Sequence, residues 1–402
     1  MELTEVINKY KEWLIMEDTT PLKILLATAL TKKSKNIRLY CILVGNSGSA
    51  KTDLINSLDD DGENTIKVLN IKPSALGSGR PTKNDKSLIS KLVEKSENGI
   101  ILLINELAPI LNSSLDAQSR FFSALRTLSD GEIIVDSDVV HKEYKNLNVT
   151  IIGASTPDIY NKSTSKDLMG TREMYIQLKE EDKVKIKEKI KENLGKDKNK
   201  FMNELKKLVK EFLDSREFKE NLEIFDEISD KIGLWAELVT KLRAPAEINA
   251  NNGELINNIY PERNTRVREH FLSIFKALKG LDEKMNDEEC LEIIKRLALS
   301  NCYPRRLNTL LFLIENYLYE EKGYTCRKVG ISDNLRISKN SASGELNALF
   351  NLDLATKTEE ETSYPDRPNI YFKANANNEI IKFLAKEMNI QLELEVVKIW
   401  KK

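Results

Sequence analysis

With 402 residues the chain has room for two or three cores. Its formal charge of −1 gives no overall basic field, so a nucleic-acid partner would have to be met by a local patch or a channel. Four cysteines, Cys41, Cys290, Cys302 and Cys326, form no C-x-x-C pair, and His141 and His270 are the only histidines. That argues against zinc, a disulfide framework and a His-based triad, and suits a reducing cytoplasm. No apolar run approaches the roughly 20 residues of a membrane span, and the charged start MELTEVINKYKEW does not read as a signal peptide.

Two helices are expected in residues 1–35. Tyr10, Trp13 and Leu14 make an apolar stripe in the first, and Pro21 suits the first turn of the second, PLKILLATALTKK. From Leu39 to Leu54 the chain reads LYCILVGNSGSAKTDL. Leu39–Val44 predicts a strand. Gly45, Asn46, Ser47, Gly48, Ser49 and Ala50 make a small-residue loop, and Lys51, Thr52 and Asp53 open a helix. A nucleoside triphosphate needs that order. Loop N–H groups can close round the phosphates, and the helix start adds positive potential. Lys51 can reach the β- and γ-phosphates, and the Thr52 hydroxyl can bind Mg²⁺. The expected ligands are ATP and Mg²⁺. Ala50 stands where this pattern usually has Gly.

Ile66–Ile71 predicts the next strand. The polar loop after it, with Arg80, Lys83 and Lys86, reads either as a solvated connector or as a contact to nucleotide or nucleic acid. GIILLINEL, Gly99–Leu107, describes a buried parallel strand with a carboxylate at its C-terminal edge. Glu106 is the candidate for polarising the attacking water. Asn105 holds the place where an Asp normally contacts the magnesium shell, and can accept from a metal-bound water without carrying charge. Residues 115–129 predict an amphipathic helix, and Glu132–Val140 a strand rising into a hairpin. The hairpin carries His141, Lys142 and Lys145, which could grip a sugar–phosphate backbone. A solvated tip is the equal alternative, because Asp136, Asp138 and Glu143 lie beside those bases. Val149–Gly153 is another buried strand, with Thr156 after it placed to sense the γ-phosphate. Met174–Leu178 follows the exposed-looking Gly170-Thr171-Arg172. Arg172 reads as a surface residue or as an arginine finger for a neighbouring subunit's nucleotide.

Residues 179–232 mix Lys and Glu at helical spacing, which predicts a solvated helical pair or insertion. Leu234–Leu242 is a more apolar helix, followed by a Pro/Asn-rich loop to Pro261. Val267, Phe271, Ile274, Phe275 and Leu278 share one helical face, and Asn286 can cap a second helix. Arg263, Arg266 and Arg268 crowd the start of the first. Arg266 is the residue expected to reach back to the γ-phosphate from a helical lid, with Arg305 as its rival. Three helices from Pro304 and two strands, Leu354–Lys357 and Asn369–Phe372, predict a winged helix-turn-helix. Its SKNSASGELNAL helix would face a major groove, with Arg336 and Lys339 on phosphates and the small residues Ser341–Gly344 allowing close approach to a backbone. A protein-contact role is the alternative. Residues 376–402 predict a helix and a charged tail, with Trp400 packed on the body. The expected division is an α/β core over 1–180, a helical insertion and lid over 181–300, a winged helix over 301–375, and the tail.

The order of parts resembles the ATPase half of the minichromosome-maintenance (MCM) helicases of the AAA+ class. The resemblance lies in GNSGSAKT, in PLKILLATAL, and in the run QSRFFSALRTLSDGEIIVDSD through VTIIGASTP. It implies an AAA+ P-loop core with a helical lid, and here a C-terminal winged helix. It implies that Lys51 and Thr52 hold ATP and Mg²⁺, that Glu106 is the catalytic glutamate, Thr156 the first sensor, Arg172 the finger and Arg266 the second sensor. It also implies a ring, commonly a hexamer, moving along DNA. The chain departs from the family at Asn105 and Thr156. At Asp138 the family has a DNA-gripping Lys, and the family's N-terminal barrel and zinc site have no counterpart in these residues. The expected activity is an ATP-driven DNA helicase or translocase. The alternatives are an ATP-switched DNA-binding or assembly protein with weak hydrolysis, and a regulator that remodels a protein partner.

Overall fold

The computed structural model describes residues 1–69, 71, 75–76, 88–137, 140–160, 172–249, 251–317, 323–324, 331–360, 369–390 and 392, with side chains omitted for 135–142. The loop bearing Arg80, Lys83 and Lys86, the side chains of His141 and Lys142, Asp138, Gly170 and Thr171, Cys326 and Trp400 lie outside the described residues. Among the described residues no helix is long and apolar enough to cross a membrane.

The chain falls into two compact units, residues 1–232 with 265–301, and residues 233–264 with 302–402. The first begins with α1 (Leu3–Trp13) and α2 (Thr20–Leu30). Then come β1 (Tyr40–Val44), α3 (Lys51–Asn56), β2 (Thr65–Val68), α4 (Leu88–Lys95) and β3 (Ile100–Ile104). α5 (Ala108–Leu111) and α6 (Leu115–Ser129) lead to the antiparallel hairpin of β4 (Ile133–Ser137) and β5 (Val140–Tyr144). β6 (Val149–Ser155) and β7 (Glu173–Gln177) complete the sheet. Helices α7 (Lys183–Glu192) and α8 (Lys198–Asp214) follow. α9 (Asp226–Arg243) starts in the first unit and ends in the second. α10 (Thr265–Leu281) and α11 (Asp287–Ser300) return to the first unit.

The sheet is parallel, in the order β2-β3-β6-β1-β7. Every residue of β1, β3 and β6 is buried, as expected for strands covered on both faces. α2 packs along α10, and α11 against β7. α6 forms where Phe121, Phe122, Leu125 and Leu128 repeat at helical spacing, and the Ser114 hydroxyl accepts from Ala117 N. All parallel strands run the same way, so the ends of β1, β3 and β6 open onto one edge. The residues that follow those strands meet there.

The Lys/Glu-rich stretch divides in two. α7 buries no side chain, as a solvated helix would. α8 does not fit that expectation: Phe201, Leu205, Val209, Phe212 and Leu213 are buried, and α8 packs on α1, α2 and α3. Its lysines are spent on the same body. Lys206 pairs with Asp59 and Asp61, and Lys210 with Glu63. The boundary at 180 therefore does not separate this helix from the sheet, and α10 and α11 group with the sheet too.

The second unit contains α12 (Pro304–Glu315), α13 (Ile331–Asn334), α14 (Lys339–Asn351), the antiparallel strands β8 (Ala355–Glu360) and β9 (Asn369–Ala374), and α15 (Glu379–Glu387). A bridge from Tyr324 to Phe372 adds a third, short strand contact. The Ser338 hydroxyl accepts from Ser341 N and starts α14.

Candidate functional site

The loop 45–50 turns from the end of β1 into α3. Two residues hold it in the left-handed region, Gly48 at φ 83° and Ala50 at φ 61°. Gly48 is the ordinary case. Ala50 carries a Cβ in a conformation that costs an L-residue about 1–2 kcal/mol. Gly45 has no room for a side chain, because a Cβ there would meet Ser49 Oγ at 2.5 Å. Lys51 is buried, and its ammonium donates to Gly45 O at 2.6 Å, Asn46 O at 2.7 Å and Ser49 Oγ at 3.3 Å. Burial holds its pKa below the usual lysine value, and the charge of Glu106 opposes that shift. Thr52 is exposed, and the Asp53 carboxylate pairs with Lys198 at 2.9 Å. α3 has only six residues, so the loop amides and Lys51 supply most of the positive character here.

Beyond β3, Asn105 is buried and donates from Nδ2 to Asn56 Oδ1 at 3.2 Å, while its own Oδ1 has no protein partner. A buried acceptor without a donor is costly. This one suits a water in a cation's shell. Glu106 is half-buried and accepts from Ala108 N at 3.2 Å. Thr156 follows β6 and donates to Asp158 Oδ2 at 3.4 Å. Lys51, Thr52, Asp53, Glu106 and Thr156 all line one cavity of about 1010 Å³. Among the described residues no cluster of three His, Cys, Asp or Glu side chains could hold a metal by itself. Mg²⁺ fits only as a cation that arrives with phosphates, since a small hard cation keeps waters and takes one or two protein ligands.

Neither the sequence nor any part of it matches a protein-family model or a curated protein.

Two arginines stand where the sequence did not put them. Arg172, expected exposed, is 8% exposed and makes a two-pronged pair with Asp130, Nε to Oδ1 at 3.0 Å and Nη2 to Oδ2 at 2.9 Å. A planar guanidinium matches a carboxylate this way, and the match outweighs solvation of an exposed tip. Arg266 lies in the first turn of α10, half-buried, and is not among the residues that line the cavity. Its rival Arg305 is exposed on α12 in the second unit. The arginine beside the loop is Arg296 on α11. It lines a cleft of about 560 Å³ with Gly45, Asn46, Ser49 and Pro157, and its Nε sits 3.7 Å from Asp18 Oδ2. Nothing in the pattern KRLALS marks it. Only the packing of α11 on β7 brings it there.

The second unit corrects the reading of α14. Asn340, Ser343, Asn347 and Asn351 share one helical face, and a tight turn of the same unit covers it. Asn340 Nδ2 donates to Asn251 O at 3.0 Å and Asn347 Nδ2 to Gly253 O at 3.2 Å. Ile259 N donates to Asn351 Oδ1 at 2.9 Å. Gly344 faces Ile248, whose Cγ2 lies 2.7 Å from where a Cβ would be. The small residues Ser341–Gly344 do admit a backbone, and it is this chain's own. Arg306, 3% exposed, ties the base of that turn by donating to Ala244 O at 2.7 Å while pairing with Glu345 at 3.0 Å. Arg336 and Lys339 remain exposed at the start of α14. On the hairpin Lys145 is exposed and pairs with Glu143 at 3.0 Å.

Proposed function

We propose that this chain is a Mg²⁺-dependent ATPase of AAA+ type, acting as an MCM-like DNA helicase or translocase whose subunits form a ring. The convergence of Lys51, Thr52, Glu106 and Thr156 on one cavity at the C-terminal edge of the sheet carries the nucleotide part. The strand order β2-β3-β6-β1-β7 supports it, because the phosphate loop then leaves a central strand flanked by the strands that bear Thr156 and Arg172. In this reading Lys51 exchanges its two loop carbonyls for β- and γ-phosphate oxygens. Thr52, with Asn105 through water, holds Mg²⁺, which when bound neutralises charge between those phosphates. Glu106 orients a water and takes its proton as the water oxygen bonds to the γ-phosphorus. The bond to the bridging oxygen breaks, and ADP and phosphate result. Thr156 positions that water from the other side.

The DNA part rests on the resemblance of the sequence to the MCM ATPases. Arg336 and Lys339 are the exposed cations of the second unit placed for phosphates, at the start of α14 and not along its covered face. Arg172, to act on a neighbour's γ-phosphate, must leave Asp130 when subunits dock. Asp130 is about half exposed, so the pair has one solvated side from which to open. A second reading, an ATP-switched assembly protein with feeble turnover, is favoured by Asn105, whose neutral side chain replaces a charge at the metal shell.

The deciding experiment is steady-state ATPase of the full chain with and without single-stranded DNA, together with strand displacement. DNA-stimulated turnover with unwinding is expected. Nucleotide binding without stimulation or unwinding overturns the motor reading in favour of the switch. In that case Asn105→Asp raises turnover.

A further inference from the structure

The cavity has a second end that hydrolysis does not use. Away from the phosphate loop its walls are apolar on both sides. One wall is the linker after α1, where Trp13, Leu14 and Met16 are all half-buried. The other is α7 and the turn after it. Ile186, Ile190 and Leu194 line the cavity while remaining 36%, 61% and 82% exposed. They fall four residues apart, on one stripe of an otherwise Lys/Glu-rich helix that buries nothing. An apolar stripe facing a half-exposed apolar wall across a cavity is a site for a ligand and not a solvated surface.

The two walls are fixed to each other. Asn193 Nδ2 donates to Trp13 O at 3.0 Å, and Lys185 pairs with Glu17. The Trp13 ring stacks on Phe201 of the core-packed α8 at 5.0 Å. The phosphate-loop end is tied to the same arm through Lys198 and Asp53. A ligand spanning the cavity would meet the amides and ammonium of the phosphate loop at one end and two aliphatic walls at the other. A flat apolar ring joined to a polyanion has that shape.

We infer that α7 and the Leu14–Met16 linker form the seat for the nucleobase, so that the Lys/Glu-rich arm is this subunit's own lid over its nucleotide. The inference rests on the phosphate-loop reading and adds where the base sits and what holds it. The walls act by apolar contact, so their removal should weaken a nucleotide and leave a bare polyphosphate unaffected.

The test is calorimetric titration of the full chain, in Mg²⁺, with ATP and separately with inorganic tripolyphosphate. Ile186→Ser/Ile190→Ser changes one wall and Leu14→Ser/Met16→Ser the other. Each double variant should raise the Kd for ATP by about tenfold or more, with tripolyphosphate within about twofold of wild type. Lys51→Ala should weaken both ligands. If both wall variants leave ATP within about twofold while Lys51→Ala weakens both ligands, the base seat is overturned and the phosphate loop stands. If the wall variants weaken tripolyphosphate as much as ATP, the walls only support the loop, and the inference again falls. If Lys51→Ala changes neither ligand, the phosphate-loop reading falls and the base seat falls with it.

Discussion

Two helices of this protein begin in runs of small residues, and the two runs serve opposite ends. Before α3, Gly45 to Ala50 leaves space, and nothing lies within 4 Å of where a Cβ would stand at Gly48. In α14, Ser341 to Gly344 also leaves space, but the turn around Gly253 fills it, with Asn340 O 2.5 Å from where a Gly253 Cβ would be. Small residues declare that something comes close. They do not say whether it is a ligand or the chain itself. Polar neighbours separate the cases. Around the phosphate loop, groups such as the Asn105 Oδ1 are left without a partner. Around α14, the Asn340, Asn347 and Asn351 side chains are bonded to the covering turn.

The largest effect should come from cutting what holds the filled site. Arg306 is almost fully buried, paired with Glu345 and bonded to Ala244 O. Arg306→Ala leaves that carboxylate without its partner and releases the base of the turn. Breaking a buried pair from one side costs about 3–5 kcal/mol. Urea unfolding should show that loss, with ATP affinity in the folded protein unchanged. A loss under about 1 kcal/mol would mean the turn over α14 is held loosely and that the contrast between the two sites is weak.

A matched pair of glycines sharpens the comparison. Gly48 and Gly253 both have positive φ, 83° and 74°, so Ala imposes a similar backbone penalty at each. That penalty is about 1–2 kcal/mol. Only Gly253 adds crowding, from Asn340 O and from Ser343 Cβ at 2.7 Å, worth a further 1–3 kcal/mol or so. Thermal unfolding should rank Gly253→Ala below Gly48→Ala, and ATP titration should rank them the other way. Equal losses of stability would show that the space at Gly48 is not open.

These contrasts also mark what was legible in the sequence. The buried strands were, because runs such as Ile100–Ile104 and Val149–Ser155 are apolar throughout, and α6 was, because its apolar spacing is unbroken. The loop and the residues after β1, β3 and β6 were legible because motif and topology agree. The inner face of α8 was written in the sequence too, at Phe201, Leu205, Val209 and Phe212, but the mixed charges around it read as solvent. What was not legible depends on partners far along the chain. Asp130 lies 42 residues from Arg172, and Asn251 lies 89 residues from Asn340. A side chain's own type gives its capacity to pair, and only the fold gives the partner.

The smallest effect tests why the loop keeps Ala50. At φ 61° a Cβ costs about 1–2 kcal/mol, which glycine would remove. Glycine returns about 0.5–1 kcal/mol of that by widening the unfolded ensemble. Ala50→Gly should therefore stabilise the protein by about 0.5–1 kcal/mol, seen as a rise in Tm of about 2 °C. The same freedom acts on the native loop, because a glycine at this position need not stay left-handed once the protein is folded. A loop that must be ordered by its ligand binds more weakly, so ATP affinity should fall by about two- to threefold even as Tm rises. Opposite signs for the two measurements would mean that Ala50 holds the open site in shape at a cost in stability. A rise in both would place the loop's rigidity elsewhere, in the three hydrogen bonds of Lys51.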